Sequence, residues 1–241
     1  MKRTERHHLK ENELVSLAAS AREVIDTRRR EAGVIGILAI VVSVAVIGYF
    51  VWRSNVEGRA SALLADAVVV SEARVGPPPA PGAPATGLSF PTEREKHQAA
   101  RAKFKAVADQ YPSRAAGVFA RYREASLHLT LGNTAEAAAA YQQVIDRAGN
   151  RIYGRMARLG LAEAQARGGQ YDQAIETFKG LAEDKDGPLP VDGILMQLGR
   201  TYLDAGKATE AQQTFNRVVE EFPDSPFSGD ARRELESLKK S

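Results

Sequence analysis

The chain has 241 residues, no cysteine, and 33 lysine and arginine residues against 30 aspartate and glutamate residues. The absence of cysteine excludes disulfides, thiolate metal sites, cysteine nucleophiles and a lipid-modified N-terminal cysteine. Residues 92–241 carry 22 basic and 21 acidic side chains. This near balance argues against a nucleic-acid-binding domain, which would concentrate positive charge in the globular part.

Residues 1–31 are predicted to form a short basic tail. Apolar residues recur at helical spacing between Asn12 and Ile25, which predicts a short amphipathic helix. Such a helix would lie on the membrane surface or bind a partner protein. The alternative is a weak helix that has no binding partner. The pair His7-His8 has no further histidine before His97, so we interpret it as part of a solvated tail rather than as a metal site.

Residues 32–52 form an uncharged stretch of 21 residues. As a helix it would be about 31 Å long, close to the hydrocarbon thickness of a bilayer, and Tyr49 and Trp52 lie at one end, where rings favour the lipid–water boundary. The stretch is longer than the apolar core of a cleaved signal peptide. A twin-arginine signal would have an apolar pair in place of Glu31 and Ala32. We therefore predict a single transmembrane helix.

The charges on either side of this helix predict its orientation. Arg22 and the run Arg28–Arg30 precede it, whereas only Arg53 and Arg59 follow within about 20 residues. The excess of positive charge marks the cytoplasmic side, so we expect a single-pass protein of the bacterial inner membrane with a cytoplasmic N-terminus. Residues 53–241 would then lie in the periplasm.

Small residues recur along one side of the predicted transmembrane helix. They are Ala32, Gly36, Ala39 and Ser43. Their spacing would let a second helix approach closely and predicts a transmembrane packing face. The alternative is that these residues form no packing face, since small residues are common in any transmembrane helix.

Two segments connect the anchor to the main domain. Residues 53–75 carry apolar residues at helical spacing and predict a helix after the anchor. Residues 76–91 contain six prolines, which remove amide donors, so neither helix nor sheet ladder is expected there. We interpret 76–91 as a Pro-rich linker or surface loop, with recognition by a proline-binding module as the alternative.

An internal repeat of 37 residues fills residues 92–241. Each copy has an alanine, an aromatic residue four positions later and an aliphatic residue three positions after that. The copies are Ala100, Phe104 and Val107; Ala137, Tyr141 and Val144; Ala174, Phe178 and Leu181; and Ala211, Phe215 and Val218. Gly132, Gly169 and Gly206 stand five positions before the last three alanines. Since glycine ends helices cheaply and residues four apart share a helical face, the pattern predicts an all-α fold of helix–turn–helix units.

This pattern resembles tetratricopeptide repeats. The third unit matches through Leu198, Gly199, Tyr202, Ala211, Phe215 and Pro223, the second through Leu161, Ala162, Gly168, Ala174 and Phe178, and the first through Ala125, Gly132, Ala137 and Tyr141. The resemblance implies a solenoid of helical hairpins. Its opening unit would join the helix after the anchor to the Phe104–Pro112 half. A capping helix would cover 228–238, with Ser228 as its N-cap.

The layout of tail, anchor and repeat domain is also similar to the YfgM-like ancillary translocon subunit family. That resemblance implies association with the protein-export channel and handover of unfolded clients to periplasmic chaperones. An adaptor in another envelope assembly, such as secretion, pilus or cell-wall machinery, remains the alternative, because a fold does not determine its partner.

The first helix of each unit should line a concave groove. The predicted groove residues are Phe119, Tyr122, Ser126, Met156, Leu159, Glu163, Met196, Arg200 and Leu203. Tyr122, Leu159 and Met196 stand where some tetratricopeptide proteins carry a basic clamp for acidic tails. We therefore predict an apolar groove for protein segments. The alternative is that several of these residues pack inside the repeats.

No constellation typical of an enzyme appears in the sequence. Gly168-Gly169-Gln170 is followed by no Gly-Lys-Ser/Thr motif, so it is not a phosphate loop. Asp184, Asp186 and Asp192 lack the spacing of a calcium loop. We predict a protein-binding scaffold without enzyme activity, cofactor, metal site, nucleic-acid partner or small-molecule substrate. Its expected partners are other proteins and the lipid bilayer.

Overall fold

The structure is a computed structural model that describes residues 29–76, 87–184 and 187–240. The predicted amphipathic helix of the tail and the prolines between positions 77 and 84 lie outside these ranges. Within them the chain forms nine helices and two strands of two residues each. The predicted all-α fold class is therefore confirmed. The chain divides into two compact units, residues 1–56 and 57–241, which are described separately.

Helix α1, Arg29–Ser71, is 43 residues long and contributes the described part of the first unit. The side chains of residues 33–55 are all exposed. Within Gly33–Ser71 the helix is long and apolar enough to cross a membrane, by length and composition. The backbone stays helical across residues 52 and 53, so the predicted anchor and the predicted helix after it belong to one continuous helix.

The second unit contains the end of α1 and eight further helices. In chain order these are α2, Glu93–Gln110; α3, Ala115–Thr130; α4, Thr134–Ala148; α5, Ile152–Arg167; α6, Tyr171–Glu183; α7, Val191–Asp204; α8, Ala208–Glu221; and α9, Ser228–Leu238. Each helix from α2 onward packs against the next, and α3 also contacts α5, as α5 contacts α7. We refer to α3, α5 and α7 as the first helices and to α4, α6 and α8 as the second helices of three hairpins.

Three clusters of buried side chains hold the hairpins together. One cluster joins Ala67 and Val70 of α1 to Phe104 and Val107 of α2, so the end of α1 and α2 form an opening unit as the repeat pattern predicts. The repeat alanines at 100, 137, 174 and 211 are all 0 % exposed, and the repeat aromatic residues are at most 3 % exposed. Small alanines let the paired helices approach, and the aromatic rings fill the space between units.

The ends of the helices also follow the predicted chemistry. Gly132, Gly169 and Gly206 have φ values of +83°, +77° and +73°, in the left-handed region that glycine adopts without steric cost. Helix α2 ends at Gln110, directly before Tyr111-Pro112. The capping helix α9 spans the predicted residues, but Phe227 rather than Ser228 occupies its N-cap position.

A short parallel ladder contradicts the expectation that residues 76–91 contain no sheet pairing. Strand β1, Arg74–Val75, pairs with β2, Ser89–Phe90. The Gly76 amide also donates a hydrogen bond of 3.0 Å to the Phe90 carbonyl. The pairing is compatible with the composition because these residues flank the prolines and keep their amide donors. Both ends of the proline-rich segment are therefore held side by side.

Candidate protein-binding surface

Five aromatic and apolar side chains of α3 and α5 are half-buried. They are Phe119, Tyr122, Tyr153, Met156 and Leu159, and we call them the first-helix surface. They project from neighbouring first helices, which line the concave side of a stack of helical hairpins. Four of the five were predicted as groove residues; Tyr153 was not.

The rings of this surface contact one another across the two helices. The centroids of Phe119 and Tyr153 are 5.6 Å apart in an edge-on arrangement. Tyr122 lies 6.2 Å from Tyr153 and 5.8 Å from the buried ring of Tyr141. Aromatic pairs at such distances stabilise one another beyond the area that they bury. The result is an ordered aromatic surface rather than a set of isolated side chains.

Tyr141 of α4 supports this surface from below. Its ring packs against the backbone of Gly160 in α5. Burial raises the pKa of the Tyr141 hydroxyl, whereas the neighbouring side chain of Ser126 acts in the opposite direction. Ser126, a predicted groove residue, is half-buried.

The acidic side chain of Glu163 lies near the rings of Tyr122 and Tyr141. Glu163 is half-buried and pairs with Arg167 at 2.5 Å. Burial raises the pKa of the Tyr122 hydroxyl, Arg123 opposes this shift, and the negative charge of Glu163 adds to it. The surface thus combines uncharged phenol groups with a carboxylate whose charge is balanced by Arg167. These groups can form hydrogen bonds with the backbone of a bound segment.

The third unit does not extend the surface as predicted. Met196 is only 1 % exposed and belongs to the core, so the prediction that it lines the groove is wrong. Its cluster also contains Ala231 of α9, so the capping helix contributes to the core in which Met196 is buried. Arg200 lies 3.6 Å from Glu234 and 3.8 Å from Asp230, and the half-buried Leu203 packs on the same core.

The small residues predicted as a transmembrane packing face lie on α1. The side chain of Ala32 lies outside the described residues. Gly36, Ala39 and Ser43 are exposed, and the Ser43 hydroxyl donates to the Ala39 carbonyl at 2.8 Å. This bond satisfies the hydroxyl within its own helix, and the packing face remains a prediction.

A network of charged side chains joins α2 to α3, and its members on α3 are buried. Arg121 donates to Glu124 at 2.5 Å and also pairs with Asp109. His128 Nε2 lies 3.8 Å from Glu124 and 3.4 Å from Arg101 Nη1. Burial raises the pKa of Glu124, against the opposing charge of Arg121. Burial lowers the pKa of His128, and Arg101 lowers it further. These groups pair with one another between two helices, and we interpret them as structural.

No group of three or more histidine, cysteine, aspartate or glutamate side chains suited to a metal ion occurs in the described ranges. Two of the three aspartates that were considered as a calcium loop have other side-chain partners in the structure. Asp184 pairs with Arg155, and Asp192 accepts a 2.6 Å hydrogen bond from the hydroxyl of Ser225. Asp186 lies outside the described residues.

The sequence contained a signal for Tyr153 that the repeat register did not use. Tyr153 stands three positions before Met156 on α5, a spacing that places two residues on one helical face. The repeat was defined by the alanines of the second helices, and the positions on the first helices were counted from them across a turn. This counting identified positions in the middle of α5 better than those in its first turn.

The fold is shared with solved structures of other proteins. The nearly identical TPR-like repeats of a kinesin light chain from Podosopora anserina align with a TM-score of 0.54 at 17 % identity, over 61 % of this chain and 80 % of that chain. BtubC from P. vanneervenii aligns with a TM-score of 0.53 at 13 % identity, over 61 % of this chain and 69 % of that chain. Identities this low show a common fold alone.

Comparison with known sequences identifies the family. No curated protein matches the sequence significantly. The family model of the tetratricopeptide repeat-like domain matches residues 30–239, which is most of the chain and includes nearly all of the described helices. With the buried repeat register and the stacked hairpins, this match shows that the chain belongs to the tetratricopeptide repeat-like domain family.

Proposed function

We propose that the chain is a membrane-anchored protein-binding scaffold whose repeat domain faces the periplasm and works beside the protein-export channel and its chaperones. The first-helix surface is the observation that carries this proposal. The thioether of Met156 adds adaptable apolar area beside the ordered rings, and such apolar surfaces bind segments of varied sequence. Members of this fold bind other proteins through such surfaces.

The composition and exposure of α1 support the membrane anchor. The side chains of residues 33–55 expose a long run of valine, isoleucine and aromatic groups. Exposed apolar areas of this size mark membrane or protein contacts. Residues 32–52 would span the bilayer, with residues 1–31 in the cytoplasm.

Cysteine labelling in intact cells tests this orientation. Because the chain contains no cysteine, Ser237→Cys and Ser16→Cys each introduce one reactive thiol. Ser237 is exposed near the end of α9. We expect a membrane-impermeant maleimide to label Ser237→Cys in cells whose outer membrane is permeabilised, and to label Ser16→Cys only after lysis. Labelling of Ser16→Cys before lysis would contradict the proposed orientation.

Purification of the full-length protein from crosslinked membranes tests the partner. We expect export-channel subunits and periplasmic chaperones with the native chain. A Tyr122→Ser, Met156→Ser double variant should lose them because it removes apolar area from the first-helix surface. Gln143→Ser, on the exposed side of the second helix α4, is the matched control and should retain them.

The outcome separates this proposal from its alternative. Recovery of one dedicated secretion, pilus or cell-wall assembly protein would favour the adaptor instead. Recovery of the same proteins from the double variant and from the native chain would show that the first-helix surface is not the binding site.

A further inference from the structure

A cavity of about 490 Å³ lies beside the first-helix surface, where the turn between α2 and α3 meets the turn between α4 and α5. We call it the edge cavity. Its lining residues are Ser113, Ala115, Val118, Arg147, Ala148, Arg151, Ile152 and Tyr153. Tyr153 belongs to both the cavity and the first-helix surface. The two are therefore continuous, and one extended segment can occupy both.

The walls of the edge cavity are mainly apolar. Val118 and Ala148 are buried parts of the neighbouring core, whereas Ile152 at the mouth is 46 % exposed. Ile152 is the first residue of α5, so it stands at the edge of the stack rather than between helices. An aliphatic or aromatic side chain that entered the cavity would cover Ile152 and remove apolar area from water.

Two arginines give the cavity a positive charge. The Arg147 Nη1 group donates to the Pro112 carbonyl at 3.1 Å. Arg151 donates to the carbonyls of Ala148 and Arg147 at 3.2 and 2.8 Å. These bonds hold both side chains in place but use only some of the five N–H donors of each guanidinium. Among the described residues no carboxylate pairs with Arg147 or Arg151, and none lines the cavity.

We propose that the edge cavity binds partner segments in which an aspartate or glutamate stands next to a large aliphatic or aromatic residue. The carboxylate pairs with the unused donors of Arg147 and Arg151, for which a guanidinium fork is well suited, and the apolar side chain enters the cavity. Charge complementarity selects this occupant, and continuity through Tyr153 favours a peptide over a lipid. The inference rests on the proposed function and defines the chemistry of the partner.

A random dodecapeptide library displayed on phage tests the inference. The full-length protein is held in phosphatidylcholine nanodiscs, and nanodiscs without protein serve as the background. We expect enriched peptides to carry an acidic residue beside leucine, isoleucine or phenylalanine. In fluorescence anisotropy, replacing that acid by its amide should weaken binding about tenfold, the scale of one charged hydrogen-bonded pair.

Variants of the cavity assign this preference to its two arginines. Arg147→Gln and Arg151→Gln should each reduce the difference between the acidic and the amide peptide. Ile152→Asp places a negative charge at the exposed mouth and should do the same without touching either arginine. Arg233→Gln, on the exposed capping helix α9, is the matched control and should leave the difference unchanged.

Three other outcomes would overturn the inference, and they differ in what they say about the proposed function. The library could enrich peptides that show no preference for acidic residues and that no longer bind to the Tyr122→Ser variant. This result would support protein binding by the first-helix surface and contradict the role of the edge cavity. No enrichment over empty nanodiscs would count against both. Acidic peptides could fail to bind in phosphatidylglycerol nanodiscs and bind again to the Arg151→Gln variant in the same nanodiscs. This result would indicate that the arginines bind lipid phosphate groups.

Discussion

The ring of Tyr141 occupies the space in which a side chain on residue 160 would stand. A Cβ atom placed on Gly160 would lie 2.3 Å from Cζ of Tyr141 and within 2.7 Å of two further ring atoms. A comparable contact occurs within the third hairpin, where a Cβ on Gly199 of α7 would lie 2.4 Å from Cε1 of Phe215 in α8. In both pairs an aromatic ring of a second helix rests on the bare backbone of a first helix.

This contact predicts that Gly160→Ala destabilises the repeat domain. The added methyl group forces apart two helices that are packed at close range, and overpacking of this kind typically costs about 1–3 kcal/mol. Urea unfolding followed by circular dichroism measures the free energy of unfolding. Because Tyr141 supports the first-helix surface, the variant should also weaken partner binding.

Gly180→Ala is the control for this prediction. Gly180 lies inside α6, and a Cβ there would meet nothing within 4 Å. Alanine should therefore stabilise the helix by about 0.5–1 kcal/mol through its lower conformational entropy in the unfolded chain. Equal effects of the two substitutions would show that the ring–backbone contact does not hold the hairpins together.

The buried histidine predicts a pH-dependent stability. Burial and the charges of Arg101 and Lys105 lower the pKa of His128, against the opposing charge of Glu136. The unfolded chain therefore takes up the proton first as the pH falls below about 6.5. The contribution of His128 to stability is present above this pH and is lost as the pH falls through the lower pKa of the folded state.

His128→Gln should remove this dependence. The free energy of unfolding of the native chain minus that of the variant should decrease between pH 7 and pH 5, by at most about 1.4 kcal/mol per pH unit for one proton. Glu124 acts in the opposite sense, since its raised pKa favours folding as the pH falls, but it is present in both proteins. A constant difference across this range would contradict a lowered pKa at His128.

The attachment of the capping helix predicts a contrast between a buried and an exposed contact. Ala231 of α9 is 0 % exposed, whereas the side chain of Arg200 is 46 % exposed in its pairs with Asp230 and Glu234. Ala231→Asp should cost more than about 3 kcal/mol because it buries an unpaired charge.

Arg200→Gln should cost less than about 1 kcal/mol because exposed ion pairs contribute little. Thermal unfolding of the two variants compares the contributions directly. A larger loss of stability in Arg200→Gln would mean that electrostatic contacts, rather than apolar packing, attach α9.

The repeat could be predicted from the sequence because its physics is local. An alanine and an aromatic residue four positions apart lie on one helical face, and burial of that face in every unit follows from the stacking of similar hairpins. The turn glycines were predicted for the same reason, since a positive φ between helices is a property of one residue.

The binding surface could be predicted only in part because exposure depends on neighbours distant in sequence. Tyr122, Leu159 and Met196 occupy the same position in successive units, yet only Met196 is buried. The pattern of one helix does not show that Met196 joins a core to which the capping helix also contributes. Likewise, the edge cavity arises from two turns that are separated by a whole hairpin.

Site-specific photocrosslinking in cells tests the central claim most directly. A benzoylphenylalanine placed at Tyr122 or Leu159 reports what contacts the first-helix surface, and the same group at Gln143 reports contacts of the second helix α4. We predict discrete adducts with envelope proteins from the first two positions and none of these from the third. Equal adducts from all three positions, or adducts from Gln143 alone, would contradict the claim that this surface binds the partner.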